Sequence, residues 1–408
     1  MKPGEELNRG PVPLWVSVAL ASGPAVALGF ARFAYALILP AMRQALGWSL
    51  LTAGAMNTAN ALGYLLGALA AGPLARRGRL GRTFMMSVFA TSFALLASGL
   101  TSNGVLLAWW RFASGVGGGL AFVVGGGLVA QIGARESVPQ AARLLGIYFS
   151  GAGLGIVLSA WIVPWLLATV PGTVGWRVAW VTLGALGILT LIAIMPALRH
   201  VAPDSPSVRR GSRTHLTWRR LRAVLIAYGL YGAGYIVYMT FIVVFLQRHG
   251  ARHQEITWFW TALGGAAMAS PFLWAGVLKR SSSGRGIAIL VGLVLMGVLL
   301  PLGSTNVAVV LGSAIMFGSA FLAVVTSVTT LARQVLPMHQ WTAALGSLTV
   351  AFGIGQSFGP FLAGWFSDGG GGVRLGLILS AGILSLSILT ALAQRERRDD
   401  GVDEAVAE

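Results

Sequence analysis

Residues 104–132 read GVLLAWWRFASGVGGGLAFVVGGGLVAQI. A single charged side chain, Arg111, interrupts an apolar run longer than the roughly 20 residues that cross a bilayer's hydrocarbon core. The run reads as a membrane-spanning helix, and its glycines at 115, 117–119 and 125–127 let neighbouring backbones approach closely. Comparable runs lie near 14–40, 50–74, 82–101, 141–168 and 176–197, and again near 222–246, 255–278, 286–303, 307–332, 341–366 and 373–393. The expected fold is an all-α membrane protein of twelve transmembrane helices. Composition agrees: of 408 residues 56% are apolar and 10% charged, against about 25% charged in an average soluble domain.

The net charge of +17 would suggest nucleic acid on a soluble domain, but here the cations fall in short groups between apolar runs, so no nucleic-acid partner is expected. The linker from Arg199 to Arg222 carries Arg209, Arg210, Arg213, Arg219 and Arg220. By the positive-inside rule it is cytoplasmic, and an even helix count puts both termini there. This topology leaves 22 Lys/Arg inside, five outside (Arg43, Arg177, Arg248, Arg252, Arg374) and two, Arg32 and Arg111, within helices. The expected location is the bacterial inner membrane, multi-pass, with the bilayer as one partner and the chain working as a monomer.

The two halves repeat at a shift of about 200 residues. Leu145-Gly146 and Gly153-Leu154-Gly155 recur as Leu345-Gly346 and Gly353-Ile354-Gly355; Gly81-Arg82 and Asn103 recur as Gly284-Arg285 and Asn306. The chain divides into an N-terminal six-helix half (1–198), a basic linker (199–221), a C-terminal six-helix half (222–393) and a cytoplasmic tail (394–408). Such paired repeats place a substrate site at the midplane between them.

These features resemble the major facilitator superfamily over the whole chain. Arg111-Phe-Ala-Ser-Gly115-Val-Gly-Gly-Gly119 is similar to its fourth-helix motif, and Gly175-Trp176-Arg177 to the start of its sixth helix. The loop Gly72-Pro-Leu-Ala-Arg76-Arg77-Gly78-Arg79 is similar to the family's gating loop, with Arg76 where aspartate is usual. The fifth span lacks the Gly-Pro motif of drug/proton antiporters, although Gly359-Pro360 stands in the eleventh. Gly29-Phe-Ala-Arg32-Phe33-Ala-Tyr35, followed by Leu39-Pro40, resembles the first helix of the YbfB/YjiJ-type branch. The resemblance implies that the first and fourth helices line a central cavity.

Within that frame Arg32 and Arg111 lie at matching depth, roughly 10 to 12 Å below the outer boundary at 1.5 Å per residue. Ionisable residues within spans are costly and mark function; the alternative is an arginine that braces helices. The repeat sets Tyr235 opposite Arg32 and an apolar residue opposite Arg111, so the cations belong to one half. None of the twelve Asp/Glu lies well inside a span. The guanidinium fork matches carboxylate or phosphate, so a small anionic organic substrate is expected. Asn57, Asn60 and Tyr64 share one face of the second span, and Tyr228, Tyr231, Tyr235 and Tyr238 fall within an arc of about 80° on the seventh. Asn57, Asn60, Tyr231, Tyr235, Tyr238 and Gln356 complete the candidate substrate site, with helix packing as the alternative for each. Trp109, Trp110, Trp258, Trp260 and Trp365 read as interfacial anchors.

No catalytic, cofactor or metal site is expected. There is no cysteine, and the five histidines sit in or beside loops. Gly355-Gln-Ser357-Phe-Gly359 matches a nucleophile elbow but lies in an apolar helix. The glycine clusters lack the strand and acidic partner of a dinucleotide loop, and no lysine follows a glycine as a phosphate-binding loop demands. The chain reads as a secondary active transporter working by alternating access, leaning toward efflux or exchange because an inside-negative potential drives anions outward. A broad-specificity exporter of neutral amphiphiles is the alternative; a non-transporting membrane sensor is the third reading.

Overall fold

The computed structural model describes residues 12–75, 79–170, 172–200, 218–274, 276 and 283–394. Among these, twelve long helices follow one another and no strand occurs. The first half comprises α1 (Leu14–Leu46), α2 (Leu50–Ala75), α3 (Leu80–Gly99), α4 (Gly104–Gly133), α5 (Val138–Thr169) and α6 (Gly175–Leu198). The second comprises α7 (Trp218–Arg248), α8 (His253–Leu273), α9 (Gly284–Gly303), α10 (Val307–Val335), α11 (Trp341–Phe366) and α12 (Gly372–Leu392). Nine are apolar and long enough to cross a membrane by length and composition alone. The other three carry Asn57 and Asn60 (α2), Glu255 (α8) and Gln356 (α11). Arg76, most of the basic linker and the tail lie outside the described residues.

Local chemistry explains the boundaries. Gly47 ends α1 in the left-handed region at φ 64°, which favours glycine. The repeated asparagines are both helix caps: Asn103 accepts from the amides of Val105 and Leu106, and Asn306 from that of Ala308, satisfying donors that a helix start leaves open. Inside α1, Pro24 contributes no N–H, and the next nine residues, Ala25–Phe33, widen into a π-helical stretch. Such stretches are rare and often stand at functional sites.

Glycines fix the packing of the two halves in the same way. A Cβ on Gly155 would collide with the backbone of Ala25, bringing α5 onto α1, and one on Gly355 with that of Gly229, bringing α11 onto α7. The glycines two positions earlier face the opposite half: Gly153 lies against Gly264 and Met268 of α8, Gly353 against Leu65 of α2. The seams between halves are therefore α5–α8 and α2–α11. Trp109, Trp258 and Trp365 are about half exposed, as interfacial anchors are. Trp260 departs from that expectation: it is fully buried, its ring 6.0 Å from Phe259, because its helix face turns into the bundle.

On the face opposite the linker, the far face, the α2–α11 seam is closed by a charged contact. Asp368, in the turn after α11, accepts from the amides of Leu50 (2.9 Å) and Leu51 (2.8 Å) at the start of α2. Partial burial pushes this carboxyl up, but the Leu51 and Leu50 amides, the Ser49 hydroxyl and the nearby Arg43 outweigh it and hold Asp368 below its ordinary value. An anion at a helix start is favoured by the open amides and dipole. Because the carboxylate is largely exposed, solvent screening limits its contribution to about 1 kcal/mol or less. With a depressed value in the closed form, the contribution is complete above about pH 4, the ordinary carboxylate pKa, and lost as pH falls through the lower closed-state value. Asp368→Asn is expected to raise the far-face-open population about two- to fivefold at neutral pH, read as the distance between spin labels on the α1–α2 and α7–α8 turns. The wild-type distance should stay flat from neutral pH down to about pH 4. Identical distances in the two proteins would remove Asp368 as a closing contact.

Candidate functional site

Arg32 is the last residue but one of the π-helical stretch of α1, and its height is set one turn earlier, where Gly29 allows α1 to press against the backbone of Gly155. One of its terminal nitrogens donates to Gln356 Oε1 of α11, across the interface between halves. The Tyr235 hydroxyl of α7 donates to the same oxygen at 2.8 Å. The guanidinium carbon lies 5.1 Å from the centre of the Tyr64 ring of α2, and Arg32 Nε has no partner. This cluster of four side chains draws on both halves, with an amide where a carboxylate counter-ion would ordinarily stand.

Arg111 is held differently. Its Nη1 donates to the carbonyl of Ala31 at 2.5 Å, and its guanidinium sits 4.6 Å from the Tyr35 ring and 5.3 Å from the Trp180 ring. Its Nε and Nη2 have no partner. An isolated buried charge is costly, and desolvated cation–π contacts offset that cost by about 2 kcal/mol or more. Because Arg111 grips the carbonyl adjoining Arg32, the two arginines do share a depth. The expectation that both open onto one water-filled space is not met: Arg111 is 1% and Arg32 3% exposed, and every named partner of Arg111 comes from the N-terminal half.

The remaining expected residues separate into those that join the halves and those that pack within one. Asn57 Nδ2 donates to Thr240 Oγ1 of α7 at 2.5 Å, and its Oδ1 is left without a partner. Asn60 donates to the Arg111 carbonyl and to Ser114 Oγ, both at 3.1 Å, and so fastens α2 to α4. Tyr231 donates to the Phe321 carbonyl at 2.5 Å. Tyr238 lies 2.6 Å from Ser313 Oγ; that hydroxyl spends its own proton on the Gly297 carbonyl, so Tyr238 is the donor.

The tyrosines of α7 form a stack. The Tyr231 and Tyr235 rings are 5.1 Å apart and nearly parallel, and Phe352 of α11 stacks on Tyr228 at 4.6 Å and on Tyr235 at 5.6 Å. Phe321 of α10 continues the cluster and meets Phe33 of α1 edge-on at 5.7 Å, beside Arg32. Tyr64, Phe122, Phe149 and Phe352 remain half-buried next to it. Sequence reasoning passed over Phe321, Phe352, Thr240 and Trp180. Phe352 was within reach, since it precedes Gln356 by four residues and must share its face. Trp180 carries no comparable signal.

Several proteins share this architecture. The family model described as "Uncharacterised MFS-type transporter YbfB" matches residues 24–392. The inner membrane transport protein YdhP of Escherichia coli is 23% identical over 94% of this chain and 97% of its own length. A gallate transporter of Pseudomonas putida is 30% identical over 43% of this chain, a match spanning 37% of that protein. Among solved structures, a bacterial homologue of the human lysosomal transporter Spinster, inward-facing and occupied, superposes with a TM-score of 0.71 at 16% identity, covering 94% of this chain and 97% of that one. The nucleoside transporter NupG gives 0.71 at 12% identity, covering 95% and 100%. With the family match running from α1 to the end of α12, this chain belongs to the YbfB-type family of major facilitator superfamily membrane transporters.

Proposed function

We propose that the protein is a secondary active transporter of a small organic solute bearing a carboxylate, and that Arg32 is its anchor. The observation that carries this reading is the Arg32 cation, buried between the halves with a neutral amide as its acceptor and no Asp or Glu well inside any span. A substrate carboxylate offers two oxygens to the guanidinium fork where Gln356 offers one, and charge-assisted bidentate pairs are about twice as strong as neutral hydrogen bonds. The solute takes the place of Gln356 Oε1, and the aromatic cluster of Tyr64, Tyr235 and Phe352 stacks on its body. The likeness to a gallate transporter, gallate being an aromatic carboxylate, supports the same class of cargo.

Arg111, Asn60 and Tyr238 hold this centre in shape from within their own halves, while Asn57 and Tyr231 border it. Alternating access then amounts to rocking of the halves along the α5–α8 and α2–α11 seams. Outward movement or exchange of the anion follows the membrane potential if the linker faces the cytoplasm. The stacked tyrosines favour a second reading, export of neutral aromatic amphiphiles, in which Arg32 serves only to bridge the halves.

The two readings differ in a single substitution. Arg32→Gln keeps a donor for Gln356 but removes the charge, and is expected to reduce uptake or efflux of organic acids in proteoliposomes at least about tenfold, equivalent to one charge-assisted hydrogen bond, with an unchanged melting profile. Retained acid transport in Arg32→Gln would favour the amphiphile reading. Screening small aromatic acids, gallate among them, should raise the wild-type melting temperature, because a saturating ligand present at 100 times its Kd adds about 2.7 kcal/mol to folding. Arg111→Lys should do the reverse of Arg32→Gln. It is expected to lower stability by about 1–3 kcal/mol, the cost of leaving buried polar partners poorly satisfied, while the acid-induced shift in melting temperature persists. Loss of that shift in Arg111→Lys would move the anion site to Arg111.

A further inference from the structure

The centre of the molecule leaves polar atoms of both kinds unpaired. Arg32 Nε and Arg111 Nε and Nη2 are donors without an acceptor, and Asn57 Oδ1 is an acceptor without a donor. The orientation of that amide is fixed by its neighbour. Thr240 Oγ1 gives its own proton to the Ile236 carbonyl at 2.6 Å, so toward Asn57 it can only accept, and the amide must present Nδ2 to it at 2.5 Å. Oδ1 is thereby turned away from Thr240, in a side chain that is only 2% exposed. A buried carbonyl oxygen is costly unless something donates to it.

The face of α2 that carries Asn57 is the one turned to the centre. Gly63 and Gly67 press α2 against α4, and Gly54 presses it against α11, while Leu62 and Leu66 on its outer side are exposed. Asn57 and Tyr64 lie on the remaining face, seven residues and so two turns apart, which sets Asn57 about 10 Å nearer the far face than the ring that Arg32 overlies. One aromatic ring with a hydrogen bond at either end spans a gap of this order. We propose that Asn57 Oδ1 accepts a hydroxyl hydrogen from the solute, so that the cargo is a hydroxylated aromatic acid, its carboxylate on Arg32 and its hydroxyl, at the opposite end of the ring, on Asn57. The inference rests on the Arg32 reading given above. An ammonium group also donates, but Arg32 and Arg111 already set two cations in this region with no carboxylate well inside a span, and a third positive charge is repelled. A neutral hydroxyl meets the same acceptor without that cost.

The test is calorimetric titration of the purified full chain, near neutral pH, with benzoate, para-hydroxybenzoate and para-methoxybenzoate. All three carry the carboxylate and the ring, and only the second offers a donor at the far end. The wild type is expected to bind para-hydroxybenzoate about tenfold more tightly than benzoate, the effect of one buried hydrogen bond, and to bind the methyl ether no better than benzoate. Asn57→Leu should bring the affinity ratio of para-hydroxybenzoate to benzoate to about one, and Arg32→Gln should weaken all three acids. No binding by any of them, or binding that Arg32→Gln leaves unchanged, would overturn the Arg32 reading and this inference with it. Acids that need Arg32 yet bind the wild type equally well, or a hydroxyl preference that survives Asn57→Leu, would overturn the inference alone. A methyl ether as tight as the hydroxy acid would do so too, since size rather than donation would then set the preference. The ligand series on the wild type decides the matter even if Asn57→Leu does not fold.

Discussion

A guanidinium inside an apolar span has to find negative electron density, and in this chain no carboxylate lies well inside a span. The two buried arginines meet that constraint by different means. Arg111 is held locally, by two ring faces and the Ala31 carbonyl, all of them in the N-terminal half. Arg32 is satisfied remotely, by the Gln356 amide of the other half. The first arrangement is permanent within its half. The second exists only while the halves are together, so any separation at this level returns Arg32 to a search for an acceptor.

The seams on which such a movement would occur bring small residues into backbone contact, with Trp161 and Trp258 meeting edge-on across α5–α8 as well. Gly153 and Gly264 bring α5 and α8 into backbone contact, and Gly54 and Gly364 do the same for the far-face end of α2 and α11, against Pro360 and Leu50. Polar contacts across the second seam are few and single: Thr58 to the Ser357 carbonyl, Asp368 to the first amides of α2. Smooth backbone contact gives dispersion energy with little side-chain ordering to undo.

The architecture was legible because bilayer insertion imposes length and hydrophobicity on every span, and because the repeat has physical content at each matched position. Asn103 and Asn306 turned out to be equivalent caps, and the paired Gly-x-Gly motifs equivalent contacts. What the sequence could not convey was which face of a helix meets which neighbour. Depth along a helix follows from counting residues, and the shared level of Arg32 and Arg111 was read correctly that way. Rotation about the helix is a different matter. In α1 the π-helical stretch of Ala25–Phe33, which contains Arg32, alters the angular register, and a 100° rule does not anticipate it. The same limit explains Trp260, which turns inward, and Arg111, whose aromatic surroundings come from Tyr35 and Trp180 on two other helices.

The repeat also clarifies why the central contact is asymmetric. A shift of about 200 residues sets Tyr235 opposite Arg32, and both of these donate to the same atom, Gln356 Oε1. The position equivalent to Gln356 in the N-terminal half is Ile156, which is fully buried and offers no acceptor. Two symmetric donors thus converge on an acceptor that only one half provides. Had the N-terminal half carried its own amide at 156, on the neighbouring α5, the Arg32 charge could have found its acceptor within its own half, as Arg111 finds the Ala31 carbonyl. Placing the cation on one half and the acceptor on the other makes the pairing conditional on closure. On the proposed reading, that condition is what would let an anionic solute, arriving when the halves are apart, compete for Arg32 on favourable terms.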